Sequence, residues 1–269
     1  MARVATAPTP PADIRLMNIT ALIFAVLGAV ALVVVAIGWV VKQPVFAVRA
    51  IRVEGDMAHN SVVTIRANAM PKLAGNFFTM DLGVARRAFE AVPWVRQAVV
   101  RRVWPNRLSV QLEEHRTVAL WISAASSDET PDKLVNSFGD VFEANLGDVE
   151  DDALPTLRGP DGSSAAMLSM LNRLVPVFAP MEAHIDTLSL SGRGSWHALL
   201  DSGAEIELGR CTDDEVIART EAFIATLPQV TGHFQRALQT ADLRHRDGYA
   251  VRLKGVSTSA NGAAKPPRK

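Results

Sequence analysis

Val99-Val100-Arg101-Arg102-Val103-Trp104-Pro105-Asn106-Arg107-Leu108 is the stretch on which the fold of this chain turns. Ala98 to Trp104 reads as one strand, Pro105-Asn106 as a turn, and Leu108 to Glu114 as the return strand. In the return, Leu108, Val110 and Leu112 face one way and Ser109, Gln111 and Glu113 the other. One face is therefore covered and one is wet. Upstream, Asp81 is a suitable N-cap for a helix with the apolar stripe Leu82, Ala85, Phe89 and Val92, stopped by Pro93. Before it, Asn60 or Ser61 caps a helix to about Met70, with Val62, Ile65 and Met70 on one face and Pro71 as its end. Phe46 to Gly55 alternates and halts at glycine, a strand and turn. Strand, helix, helix, strand, strand is a β-α-α-β-β order. A three-stranded sheet with both helices on one side buries all of these stripes.

Downstream, residues 117–254 read as a second module. Ala119 to Ile122 is a strand; Leu134-Val135 and Val141-Phe142 flank a hairpin turn at Ser137-Phe138-Gly139-Asp140. Ser164 to Val177 is helical, with Met167, Leu168, Leu171, Leu174 and Val175 on its apolar face. Leu188 to Leu190, Trp196 to Leu200 and Ala204 to Leu208 are strands joined by glycine turns. Thr212 and Glu215 form a capping box for a helix to about Leu227, turning Val216, Thr220, Phe223, Ile224 and Leu227 inward. Thr240 to Arg244 and Tyr249 to Lys254 are a last pair of strands, turning at Asp247-Gly248. Beyond Gly255 the chain is small, polar and basic, a flexible tail.

Upstream of both modules lies an uncharged run of 26 residues from Leu16 to Val41, between Arg15 and Lys42. As a helix it reaches about 39 Å, enough to cross a hydrocarbon core of about 30 Å. Trp39 suits the headgroup layer. Ala29-Val30-Ala31 has the form of a signal cleavage site, but the apolar run continues past it and exceeds a signal's core. Ala21, Ala25 and Ala29 give a small-residue spacing open to helix pairing. Basic residues are nearly balanced across the run, and long domains translocate largely regardless of charge, so charge does not set the orientation; the expected topology places the N-terminus inside. The fold class is α+β: a tail at 1–17, a single N-terminal transmembrane helix at 18–41, the β-α-α-β-β module at 46–116, a mixed α/β module dominated by an antiparallel sheet at 117–254, and a disordered tail at 255–269.

The chain of 269 residues balances Lys+Arg 28 against Asp+Glu 28, a field too weak to gather nucleic acid. One cysteine, Cys211, excludes an intrachain disulfide and a multi-cysteine metal site. Six histidines stand at 59, 115, 184, 197, 233 and 245, with no metal spacing among them. There is no nucleophile elbow, P-loop or zinc-protease motif. Ser191-Gly192-Arg193-Gly194-Ser195 joins two strands and so lacks a helix N-terminus to hold phosphate. Asp148 to Asp152 lacks the spacing of a calcium loop and reads as solvated surface. No catalytic, cofactor-binding or metal-ligating residue is expected, and no cofactor.

Two sets of residues carry a family resemblance. In the first module they are Ile51-Arg52-Val53-Glu54-Gly55, Asn76-Phe77-Phe78-Thr79-Met80-Asp81, Val92-Pro93-Trp94-Val95 and the Val99–Leu108 hairpin. In the second they are Phe138-Gly139-Asp140-Val141-Phe142, Leu208-Gly209-Arg210 and Ala241-Asp242-Leu243-Arg244. Val48 to Arg116 resembles a POTRA domain, and the whole chain resembles the bacterial cell-division family FtsQ/DivIB. Thr117 stands where the family usually has a proline after its acidic pair, and Leu253 replaces a family aromatic.

The resemblance implies a non-enzymatic divisome scaffold of the inner membrane, reaching into the periplasm at the septum. It implies the partners FtsB and FtsL, through them the septal peptidoglycan synthase FtsW/FtsI, and FtsK as a further candidate. It also implies a docking edge near the C-terminus of the second module. If the last strand lies at a sheet edge, an FtsB-like segment is expected to add to it as a strand, with Arg193, Arg244, Asp247, Gly248, Tyr249, Val251 and Leu253 shaping the contact. The POTRA module is implicated in recruitment, with Arg52, Glu54, Arg101 and Arg102 as its surface. The competing class is a POTRA-bearing envelope chaperone or secretion component, which usually carries several such repeats or a membrane barrel.

Overall fold

A computed structural model describes residues 12–56, 58–59, 61–73, 75–126, 130–149, 152–245 and 248–255. Its first element is helix α1, Ala12–Val41. From Leu16 to Val41 the mean hydropathy is 2.9 and none of the segment is buried. Apolar on every side and satisfied along its own backbone, such a helix suits hydrocarbon. Among the described residues it is the one helix long and apolar enough to cross a membrane. Beyond α1, which groups with the first of them, the chain divides into two compact units at Glu113/Glu114.

The first unit contains β1 (Ala50–Asp56), α2 (Val62–Ala69), α3 (Leu82–Glu90), β2 (Val95–Val103) and β3 (Arg107–Glu114). The sheet order is β1-β3-β2, with β1 and β3 parallel from Ala50↔Arg107 to Asp56↔Glu113. Ile65 and Ala69 of α2 and Phe89 of α3 pack on Val95, Ala98, Val110 and Leu112 of the sheet. Asp81 caps α3, its Oδ1 accepting from the Gly83 N–H at 2.7 Å and the Val84 N–H at 3.3 Å.

Two expectations need correction here. β1 begins at Ala50 rather than Phe46, because Pro44–Phe46 forms a single 3-10 turn. Met70 is 45 % exposed, since α2 ends one residue earlier and Ala69 takes the inward place.

The second unit runs β4 (Thr117–Ser123), β5 (Lys133–Asn136), β6 (Val141–Phe142), β7 (Thr156–Gly159), α4 (Ser164–Phe178), β8 (Ile185–Leu190), β9 (Trp196–Leu200), β10 (Glu205–Gly209), α5 (Asp213–Phe234), β11 (Leu238–Asp242) and β12 (Ala250–Leu253). One nine-stranded sheet is ordered β12-β11-β10-β9-β8-β7-β4-β5-β6. Five pairings are antiparallel; β4–β7, β7–β8 and β10–β11 are parallel. A parallel pair needs a crossover, and α4 and α5 supply those from β7 to β8 and from β10 to β11. Both helices share one core with the strands, Met167, Leu174, Phe178 and Phe223 meeting Leu157, Leu188, Ala198 and Ile206.

β7 escaped the sequence reading because Thr156-Leu157-Arg158-Gly159 is too short for its pattern to show. α5 continues to Phe234, past Pro228, rather than stopping at Leu227. Proline removes one helical hydrogen bond, and Val230 packs on the core beyond it. On α4, Val175 is 54 % exposed, while Met170 and Phe178 join the inward face instead.

Candidate functional site

Strand β12 has β11 on one side and, among the described residues, no strand on the other. It follows β11 antiparallel, with Ala250↔Asp242, Val251↔Ala241 and Arg252↔Thr240. The Lys254 N–H donates to the Ala237 carbonyl at 2.9 Å, which fixes the sense of the strand. Backbone groups alternate along a strand, so Val251 and Leu253 direct their N–H and C=O away from β11. An edge of this kind is a template for an incoming strand. The opposite edge, β6, is only two residues long, and the His115 ring stacks on Phe142 at 4.0 Å.

The side chains of β12 alternate as well. Leu253 is buried and Val251 half-buried, both packed with the core, while Ala250 and Arg252 are exposed. Leu253 thus turns its side chain to the core and its backbone groups to the open edge. A groove of about 600 Å³ follows this edge. Val230 and Phe234 of α5 line it with Val251 and Leu253; Glu205, Glu207, Asp242 and Arg252 line it as well. Phe234 is 52 % exposed. The sequence reading missed Val230 and Phe234 by ending α5 early. The signal was there: Leu227, Val230 and Phe234 keep the three- and four-residue spacing of one helix face.

Tyr249 leads into β12 and is anchored from below. Its hydroxyl lies 2.6 Å from Thr226 Oγ1 and its ring stands edge-on to Phe223 at 5.0 Å. Its role is to hold the strand against α5. Just past β11, Arg244 turns back on Asp242: Nε donates to Oδ1 at 2.9 Å, Nη2 to Oδ2 at 2.6 Å, and the Arg244 backbone N–H to Oδ1 at 3.0 Å. The side-chain hydrogen bonds from Arg244 pull the Asp242 carboxyl down to about 2, opposed by burial and helped by the Arg244 backbone N–H and charge. Arg244 remains 59 % exposed, its cation already shared with a carboxylate of its own chain.

Arg193 lies exposed in the β8–β9 turn. The pairings Gly209↔Trp196, Glu207↔Asp242 and Asp242↔Ala250 put that turn, Arg244 and the start of β12 at one end of the sheet. Three strand spacings, roughly 14 Å, separate β9 from β12. Gly248 is exposed beside Tyr249, whereas Asp247 lies outside the described residues.

In the first unit, Ile51 and Val53 pack on the core, which leaves Arg52 and Glu54 on the open face, paired at 2.6 Å. Arg101 shares that face by alternation from Val100. Arg102 turns the other way, its Nη2 donating to the Met80 carbonyl at 2.5 Å. The four residues therefore do not form one patch.

Among the described residues no three His, Cys, Asp or Glu side chains are placed to hold a metal ion. Cys211 is half-buried against the core. His184 Nδ1 lies 3.2 Å from Asp201 Oδ2, and this hydrogen bond lowers the Asp201 carboxyl, a surface pairing at a turn.

Comparison with known proteins covers both units. The family described as "Cell division protein FtsQ/DivIB, C-terminal" matches residues 119–244, and "POTRA domain, FtsQ-type" matches residues 46–115. The chain is 39 % identical over 247 residues to the cell division protein FtsQ of Thiomonas arsenitoxydans, covering 91 % of this chain and 89 % of that one. It is 38 % identical to the FtsQ of Burkholderia pseudomallei, covering 91 % and 94 %. With the FtsQ of Bordetella pertussis it shares 34 % identity over 277 residues, covering 96 % and 98 %.

Proposed function

Because this chain belongs to the FtsQ/DivIB family of cell division proteins, we propose that it is a divisome scaffold whose open strand β12 receives a segment of FtsB by strand addition. Through FtsB and FtsL it is linked to the septal synthase FtsW/FtsI, and FtsK is a candidate upstream contact. It transforms no substrate. α1 holds it in the inner membrane at the septum, with the N-terminal tail in the cytoplasm and both units in the periplasm.

The observation that supports this reading is the position of β12 at the end of the nine-stranded sheet, with two residues turning their backbone groups outward. Main-chain pairing supplies the affinity in strand addition, and pockets for alternate side chains supply the selectivity. The groove beside Phe234 and Val230 is such a pocket for an apolar side chain.

Val251→Pro tests it. The Val251 N–H points away from β11, and proline is tolerated on the open side of an edge strand, so the second unit keeps its fold. Co-purification with FtsB–FtsL is expected to be lost while membrane insertion persists and the unfolding temperature falls only by the packing that the half-buried Val251 side chain gives up. Undiminished binding rejects strand addition at β12.

A further inference from the structure

At the foot of the first unit, three hydrogen bonds tie separate loops to the end of α1 and to the linker that follows it. Asn76 Nδ2 donates to the carbonyl of Val41, the last residue of the helix, at 2.5 Å. The Phe77 N–H donates to the Phe46 carbonyl at 2.9 Å. The Arg49 N–H donates to the Asn106 carbonyl at 3.0 Å, which sets the β2–β3 turn beside the same linker. Arg102, bonded to Met80, joins β2 to the loop before α3.

The surface gathered in this way carries three exposed apolar side chains: Val45 at 64 %, Phe78 at 47 % and Trp104 at 76 %. Exposed Lys42, Arg49 and Arg107 lie among them in the chain. The nearby carboxylate, Asp81, is taken up in capping α3. Water alone gives no reason to collect an indole, a phenyl ring and an isopropyl group at one end of a domain. The end of a membrane-crossing helix does. Val45 is four residues beyond Val41, at most about 14 Å along the chain. An exposed indole among cations at that depth has the make-up of the interfacial belt, and anionic headgroups complement the cations.

We propose that this lip, formed by the Asn76–Thr79 loop and the β2–β3 turn, rests on anionic phospholipid in the leaflet from which α1 emerges, and so fixes how the first unit stands on the membrane. The inference rests on α1 spanning the bilayer and is independent of β12.

The test uses the full chain in vesicles of phosphatidylethanolamine and phosphatidylglycerol, with and without lipid brominated high on the acyl chain. Subtracting the emission of Trp104→Phe from that of the native chain isolates Trp104; Trp39→Phe isolates Trp39 in the same way. Trp104 is exposed, so the substitution removes no buried packing. The expected Trp104 emission is blue-shifted, quenched by brominated lipid and shielded from iodide. Red-shifted, iodide-quenched emission indifferent to bromine, with Trp39 still quenched, overturns the lip while leaving the span intact. Indifference of Trp39 as well overturns both. Shielding of Trp104 only after FtsB–FtsL is added assigns the surface to a protein and also overturns the proposal.

Discussion

Gly55 has a φ of +144°, and a Cβ built on it would collide with the Leu112 carbonyl across the β1–β3 ladder. Any side chain there combines backbone strain with a clash against main chain that cannot move aside. Gly55→Ala is expected to destabilise the first unit by about 1–3 kcal/mol, read as a lower unfolding temperature. Glycine at 55 reads as a turn in the sequence, whereas β1 runs on through it to Asp56; the Leu112 carbonyl that requires glycine there was not legible, because Leu112 lies on a distant strand. Asp242 teaches the same lesson in electrostatics. Its carboxyl titrates at about 2 because Arg244 folds back on it, a pairing two residues apart whose geometry depends on how the chain leaves β11. A depressed carboxylate contributes stability in full above its unfolded value of 3.8 and loses it as pH falls through about 2. An NMR carboxyl titration should find Asp242 near 2 in the native chain. Arg244→Ala should return the midpoint toward 3.8.

Among the elements, α5 was the most readable and the most misjudged. Its start is fixed by the box in which the Glu215 N–H donates to Thr212 Oγ1 at 3.4 Å and the Thr212 N–H donates to Glu215 Oε2 at 3.2 Å. Thr212→Ala should cost about 1 kcal/mol of stability in denaturant unfolding of the second unit, with Thr212→Ser restoring most of it. The far end was misplaced because proline usually ends a helix, whereas here the apolar face beyond Pro228 still has a core to meet. That extra length matters to the site, since it carries Val230 and Phe234 to the β12 groove. Hairpins such as β2–β3 and β11–β12 were legible because both partners are close in sequence. The parallel pairings were not, since β4–β7 and β7–β8 join segments that no local pattern relates.

At the scale of the molecule, the two-unit organisation behind one apolar helix was legible from hydropathy and periodicity, and the family identity agrees with it. Orientation was not, because the cations around α1 nearly balance. With the N-terminus inside, protease added to spheroplasts should degrade both units and spare an N-terminal tag. Survival of the units with loss of the tag would reverse the topology. The edge position of β12 is a property of the whole sheet order, visible only once all nine strands are placed. Residue-resolved hydrogen exchange on the full chain, with and without FtsB–FtsL, tests it most directly. The account predicts that the Val251 and Leu253 amides exchange readily in the free chain and become protected in the complex, with β6 unchanged. A complex that forms while both amides exchange as before would contradict it.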